Sequence, residues 1–228
     1  MQLQQILFSQ GFGTRRECDA LIGHGLVQVG GRVLDDPAVE LDTDGLVVAV
    51  RGQAWPYHAR ALVMMNKPAG YECSRKPRHH PSVLSLLPAP LRTRGVQPIG
   101  RLDEDTTGLL LLTDDGALLH RLTSPKWHVP KLYVADCADA VTPAQRQRLL
   151  DGVVLRDDPQ PARAAACEAS GDKQLQLTLT EGKYHQVKRM VAAAGNAVVA
   201  LRRIAFGRLA LPADLSPGQW RWVDAAEL

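Results

Sequence analysis

The sequence predicts an α+β protein in two parts, on three observations. Residues 1–50 read as two short helices followed by short strands. A polar, proline-containing stretch, RGQAWPYHAR, then breaks the pattern at 51–60, and the remaining 170 residues mix strand-length apolar runs with helical stretches. The boundary is expected near residue 58, with a small domain over 1–58 and a larger one over 59–228.

Each element has a local cause. Leu3, Ile6 and Leu7 share one helical face and Leu21 and Ile22 another, with Gly11 and Gly13 between them. Thr14 is placed to cap a helix that starts Arg15, Arg16, Glu17, and LVQVGGRVL alternates as two short strands about a Gly30–Gly31 turn. In the larger part, strands are expected at 61–66, 109–113, 131–136 and 175–180, and helices near 114–123, 143–150 and 184–194. The run Leu109–Leu112, bounded by Gly108 and by Asp114, Asp115 and Gly116, suits a buried strand and is too short for a buried helix.

Composition sets the surroundings. The chain has no run of 18 apolar residues, and its N-terminus lacks a basic stretch leading into an apolar one, so a cytoplasmic protein with no membrane partner is expected. Cys18, Cys73, Cys137 and Cys167 form no CxxC pair and are expected as free thiols. Cys73 with His79 and His80 lacks a fourth ligand at recognisable spacing, so no metal site is expected. Net charge is +3, unevenly spread: residues 1–50 carry −4, residues 51–131 carry +6 and residues 132–228 carry +1. Arg75, Lys76, Arg78, Arg92 and Arg94 fall among prolines, with no acid between Glu72 and Asp103. This stretch reads as a long basic loop suited to a polyanion such as nucleic acid; the bland alternative is a solvated charged loop.

The segment GRLDEDTTGLLLLTDDG at 100–116 sets Asp103, Glu104 and Asp105 at the mouth of the leucine strand. Desolvation and a chosen partner can tune a carboxylate held at the rim of a core. The competing reading is a polar turn leading into a strand.

Taken with KLYVAD at 131–136 and LTEGKYHQVKRM at 179–190, in that order, this segment strongly resembles the pseudouridine synthases of the Rsu type. MNKPAGYECS at 65–74, followed by HPSVLSLLP, and HRLTSPKWHVPKLY at 120–133 resemble the branch that modifies small-subunit rRNA. The stretch GFGTRRECDALIGHGLVQVGGRVL is similar to the small RNA-binding domain named after ribosomal small-subunit protein S-four. The resemblance covers nearly the whole chain. It implies that this small domain precedes a catalytic domain built on a mixed, mainly antiparallel sheet flanked by helices and loops.

The implied reaction is an isomerisation. The bond from ribose to uracil nitrogen 1 breaks, the base turns, and the same sugar carbon is joined to uracil carbon 5. Nothing is exchanged that calls for a nicotinamide, a metal or ATP, the chain has no Walker motif, and no cofactor is expected. By resemblance Asp103 is the catalytic carboxylate, acting on the ribose, on the base or on the ribose 2′ proton. Lys188 is the cation implied to pair with it, with Arg189 as the alternative, since neighbours on a helix face about 100° apart. Tyr133 is the implied active-site tyrosine, able to stack on uracil and to assist proton transfer. Arg101, two residues before Asp103 and on the same side if the segment is a strand, is expected to take the place of the extruded base in the RNA stack. Arg75, Lys76, Arg78 and Arg189, with Arg15 and Arg16 from the small domain, are expected to contact the RNA.

The expected partner is 16S rRNA, as precursor or in an assembling subunit, and the expected state is a monomer. The alternatives are a synthase for 23S rRNA and a non-catalytic RNA-binding assembly factor. One departure concerns the small domain, where Gln4, Gln5, His24 and Leu26 fill positions expected to be more basic. Deleting residues 1–58 is expected to lower RNA affinity modestly and to leave the catalytic domain folded.

Overall fold

The computed structural model describes residues 1–156 and 158–228. It divides into two units, Met1–Ala61 with Leu87–Val96, and Leu62–Leu86 with Gln97–Leu228.

The first unit opens with helices α1 (Leu3–Ser9) and α2 (Arg15–Gly23), followed by strands β1 (Val27–Val29), β2 (Arg32–Val33), β3 (Val47–Val50) and β4 (Gln53–Pro56) in the order β2-β1-β3-β4. Thr14 caps α2 with a complete capping box: its hydroxyl accepts the Glu17 N–H while the Glu17 carboxylate accepts the Thr14 N–H at 2.7 Å. Gly30 and Gly31 both take positive φ, as a two-residue hairpin of this type requires. Gln10, buried beneath this layer, accepts from Trp55 Nε1 and, at 2.9 Å, from Arg94 Nη1.

Arg94 lies just past helix α3 (Ala89–Thr93), whose Leu91 is fully buried. Two expectations change here. Residues 73–98 are not one long loop but hold a 3-10 turn at 83–86, α3 and the start of a strand. Residues 87–96 pack as part of the first unit, so deleting 1–58 would uncover Leu91 and leave Arg94 without Gln10 and the His58 carbonyl.

In the second unit the elements are β5 (Leu62–Lys67), β6 (Gln97–Ile99), β7 (Thr107–Thr113), α4 (Gly116–Thr123), β8 (Lys131–Cys137), α5 (Pro143–Asp151), β9 (Val153–Leu155), β10 (Asp158–Ala162), β11 (Ala166–Gly171), β12 (Gln174–Leu179), α6 (Gln186–Ala193), β13 (Val198–Phe206), β14 (Leu209–Ala210) and β15 (Trp220–Trp222). β9 and β10 form a separate hairpin. The main sheet runs β11-β12-β8-β13-β7-β5-β15, with β14 on β13 and β6 on β7, and every pairing in it is antiparallel except β13 with β7. This is the mixed, mainly antiparallel α+β architecture that the resemblance implies.

Leu109–Leu112 are all fully buried because both faces of β7 are covered, which is why the run is continuous instead of alternating. Leu109 and Leu111 join a core with Leu122 of α4 and Phe206. Farther along the sheet, Leu175, Leu177, Leu179 and Leu201 pack against Val187, Met190 and Val191 of α6. The spacing 187, 190, 191, 194 is the buried stripe of that helix, so the next position, Lys188, sits at its edge.

Strand β13 escaped the sequence reading because VVALRRIAF sets two arginines inside an apolar run. Arg203 is nonetheless buried, its Nε donating to the Leu109 carbonyl at 2.8 Å and its guanidinium 5.3 Å from the Phe206 ring centre. Gly108, opposite it, has φ +101°, and a Cβ there would collide with the Arg203 carbonyl oxygen. Only glycine lets the two parallel strands meet at this row.

Candidate active site

The site grows from the short turn between β6 and β7. The Thr106 N–H donates to the Asp103 carbonyl at 3.1 Å, so Glu104 and Asp105 occupy the centre of a β-turn. Lys67, at the end of β5 and fully buried, holds this turn from below. Its Nζ donates to the carbonyls of Pro68, Glu104 and Thr106 at 3.0, 3.0 and 2.9 Å, one acceptor for each of its three protons. Burial pulls the Lys67 pKa down, while the charges of Cys73, Glu104, Asp105 and Asp103 act to raise it. The Gly70 N–H donates to the Glu104 carbonyl as well, at 2.9 Å, so both the peptide and the ammonium fix that oxygen.

Above the turn, the N-terminal end of α6 supplies two cations or potential cations. Lys188 Nζ lies 2.6 and 2.7 Å from the two carboxylate oxygens of Asp105 and 3.7 Å from Asp103 Oδ2. His185 Nε2 lies 3.4 Å from Asp103 Oδ1. Burial raises the Asp105 pKa, but the hydrogen bond and charge of Lys188 outweigh it and hold the carboxyl below its ordinary value.

Asp105 is more than a turn residue. Its side chain in fact takes the bidentate contact with Lys188. The two aspartates are therefore engaged unequally: Asp105 has both oxygens on the ammonium, whereas Asp103 has one oxygen toward Lys188 at longer range and one toward the imidazole. Asp105 thus anchors Lys188, and Asp103 keeps lone pairs available for chemistry.

Lys188 lies near Asp103, with its closer contact to Asp105. Arg189 points elsewhere, donating from Nη1 to the Tyr184 carbonyl at 3.1 Å. Tyr133 sits on β8 in the same lateral row as Leu177, Arg203, Gly108 and Lys67, hence on one face of the sheet with Arg203 and Lys67. It packs against the core capped by α6, beneath the helix that carries Lys188. In this region Lys131 has its pKa lowered by burial first and by the charge of Arg203 second.

Arg101 requires a correction. Strand β6 ends at Ile99 and residues 101–103 are irregular, so the shared-strand argument for Arg101 and Asp103 does not hold. Arg101 is exposed and joins Arg75, Gln97, Pro98 and Cys73 around a cavity of about 330 Å³.

Arg75, Lys76 and Arg78 are exposed on a segment that one acid helps to order. Glu72 accepts the N–H groups of Arg78, His79 and His80 at 3.1, 2.8 and 2.9 Å, and these bonds hold its pKa down to about 2. A depressed carboxylate pKa contributes order that is present above its ordinary value and is lost as pH falls toward the depressed one. Hydrogen exchange should therefore find the amides of residues 78–80 protected at neutral pH and unprotected as pH falls from about 4 toward about 2. Glu72→Ala should remove their protection at every pH. In the first unit Arg15 and Arg16 are exposed, with the Arg15 guanidinium 5.4 Å from the Phe8 ring centre.

His185 and Lys67 were missed by sequence reasoning. His185 carried a signal only in its neighbours, lying inside the motif that supplied Lys188. Lys67 closes an apolar strand, and its burial could be read only from the three carbonyls that converge on it.

Residues 61–193 match the RNA pseudouridylate synthase family and residues 1–48 match the S4 domain. The chain is 39% identical over its whole length to a Bacillus subtilis protein named uncharacterized RNA pseudouridine synthase YtzG, covering 97% of that protein. It is 37% identical to ribosomal small subunit pseudouridine synthase A of Pasteurella multocida and 36% identical to the Escherichia coli K12 protein of the same name, in both cases over all of this chain and 98% of the relative. A crystal structure titled pseudouridylate synthase superposes with a TM-score of 0.70 at 33% identity, covering all of this chain and 97% of that one. The chain belongs to the RNA pseudouridylate synthase family, with an S4 domain ahead of its synthase domain.

Proposed function

We propose that this synthase converts one uridine of small-subunit (16S) rRNA to pseudouridine, with Asp103 as the catalytic carboxylate. The observation that carries this reading is the unequal engagement of the two aspartates: Lys188 is clamped by Asp105 and turned toward Asp103, which also faces His185. The small-subunit assignment is supported by full-length likeness to relatives named for that substrate.

The uridine is extruded from the RNA so that its sugar reaches Asp103. Asp103 acts at the bond from ribose carbon 1′ to uracil nitrogen 1, and Lys188 stabilises its charge in a partly desolvated site. Tyr133, on the sheet face beneath α6, stacks on the freed base while it turns. Carbon 5 then bonds to carbon 1′ and loses its proton, and nitrogen 1 gains one. Arg101 fills the place the base leaves.

Arg75, Lys76 and Arg78 contact phosphates beside the synthase domain, and Arg15 and Arg16 do so from the RNA-binding domain at 1–58. The enzyme works as a monomer in the cytoplasm on precursor RNA or an assembling subunit, where the uridine is still accessible.

A deletion strain tests the substrate. Mapping pseudouridines in both rRNAs should show one site missing from the small-subunit RNA and restored by the wild-type gene. Loss of a large-subunit site instead would replace the substrate with 23S rRNA, and loss of none would overturn the proposal.

A further inference from the structure

We infer that Tyr184 and His185 form a stacking ledge for an unpaired nucleobase that flanks the target uridine. The inference rests on the reading of Asp103 as the catalytic carboxylate.

The side chain of Tyr184 is conspicuous for its setting. The residue is 74% exposed, yet its ring lies on the His185 ring at a centroid distance of 3.8 Å and an interplanar angle of 18°. The segment that presents it is tightly held. The Lys183 N–H donates to Gln186 Oε1 at 2.8 Å, Gln186 Nε2 donates to Glu181, and Lys183 Nζ is 2.7 Å from Asp158. Arg189 fixes the Tyr184 carbonyl. His185 itself takes a left-handed conformation, φ 46°, which a non-glycine residue adopts only where its surroundings hold it there. That conformation turns one edge of the imidazole to Asp103 Oδ1 at 3.4 Å and one face to Tyr184.

The outer face of Tyr184 is thus a preorganised aromatic surface one histidine ring away from the reacting carboxylate. A single ring is far too small for a protein interface. It has the size of one base. The reacting uracil must reach Asp103 itself, so the ledge takes its neighbour in the strand. Ordering of that neighbour against Tyr184 would hold the RNA in register with Asp103, making the ledge a specificity element beside the chemistry.

The test uses the full chain and an RNA fragment carrying the mapped uridine, with 2-aminopurine at the position before or after it. With Asp103→Asn protein, which binds without turnover, 2-aminopurine fluorescence should be quenched at one of the two positions. The quench should persist when Tyr184→Phe is added and vanish when Tyr184→Ala is added. In the active enzyme Tyr184→Ala should raise KM about ten-fold, with kcat within about two-fold, and Tyr184→Phe should match wild type. An abasic nucleotide at the quenched position should raise the wild-type KM by a similar factor and add nothing to Tyr184→Ala. Thermal melting confirms that each variant is folded.

Quenching that survives Tyr184→Ala, no quenching at either position, or penalties from the abasic site and the alanine that multiply would each overturn the ledge. Product formed by Asp103→Asn would instead overturn the underlying catalytic reading, so the two failures are distinguishable.

Discussion

Asp103→Asn should lose turnover by about a thousand-fold or more while RNA affinity stays within about two-fold. Asparagine keeps the shape of the side chain and can still meet His185, but it removes the charge that faces Lys188 and the lone pairs available for covalent or proton chemistry. Lys188 stays in place because its tighter contact is with both oxygens of Asp105. Asp105→Asn should accordingly do less harm, lowering kcat by loosening Lys188 without removing the reacting group. Single-turnover rates and filter-binding affinities on one RNA preparation check both. Equal rates for wild type and Asp103→Asn would remove Asp103 from the mechanism.

Lys67→Met should cost stability and activity together. Methionine fills the volume of the lysine stem but leaves the carbonyls of Pro68 and Thr106 without their donor and that of Glu104 with the Gly70 N–H alone. Each unsatisfied buried acceptor costs on the order of 1–3 kcal/mol, and removing a buried charge returns part of that, so a net loss of about 2–4 kcal/mol is expected. For a chain of this size that corresponds to a Tm lower by about 10 °C. The 103–106 turn would lose its anchor, and turnover should fall even below the melting range. Denaturant titration and tritium release on the same preparation measure the two effects. Unchanged stability would mean that the turn is held without the ammonium.

The legible parts of the fold are those where a local signal and the tertiary environment agree. Thr14 as the cap of α2, the Gly30–Gly31 hairpin and the leucine strand β7 all follow from spacing alone, and in the structure Asp115 Oδ1 caps α4 by accepting the N–H groups of Ala117 and Leu118. Strand β13 was not legible because its burial depends on Arg203 finding the Leu109 carbonyl, 94 residues away. The supposed long basic loop failed for the same reason: Arg94 is held by the His58 carbonyl and Gln10, 36 and 84 residues away, and Leu91 beside it is fully buried. At the site, Asp103 and Lys188 could be paired through motif order. The roles of Asp105, His185 and Lys67 depend on side-chain directions that periodicity does not encode.

Tritium release from RNA labelled at uracil carbon 5 tests the central claim most directly, because forming the carbon 5 to ribose bond expels that hydrogen to water. Purified protein incubated with labelled small-subunit rRNA transcript should release one tritium equivalent per RNA molecule, with the new pseudouridine mapped to a single position and with Asp103→Asn releasing none above background. No release from any rRNA transcript or precursor particle by folded wild-type protein, or release undiminished in Asp103→Asn, would contradict the account.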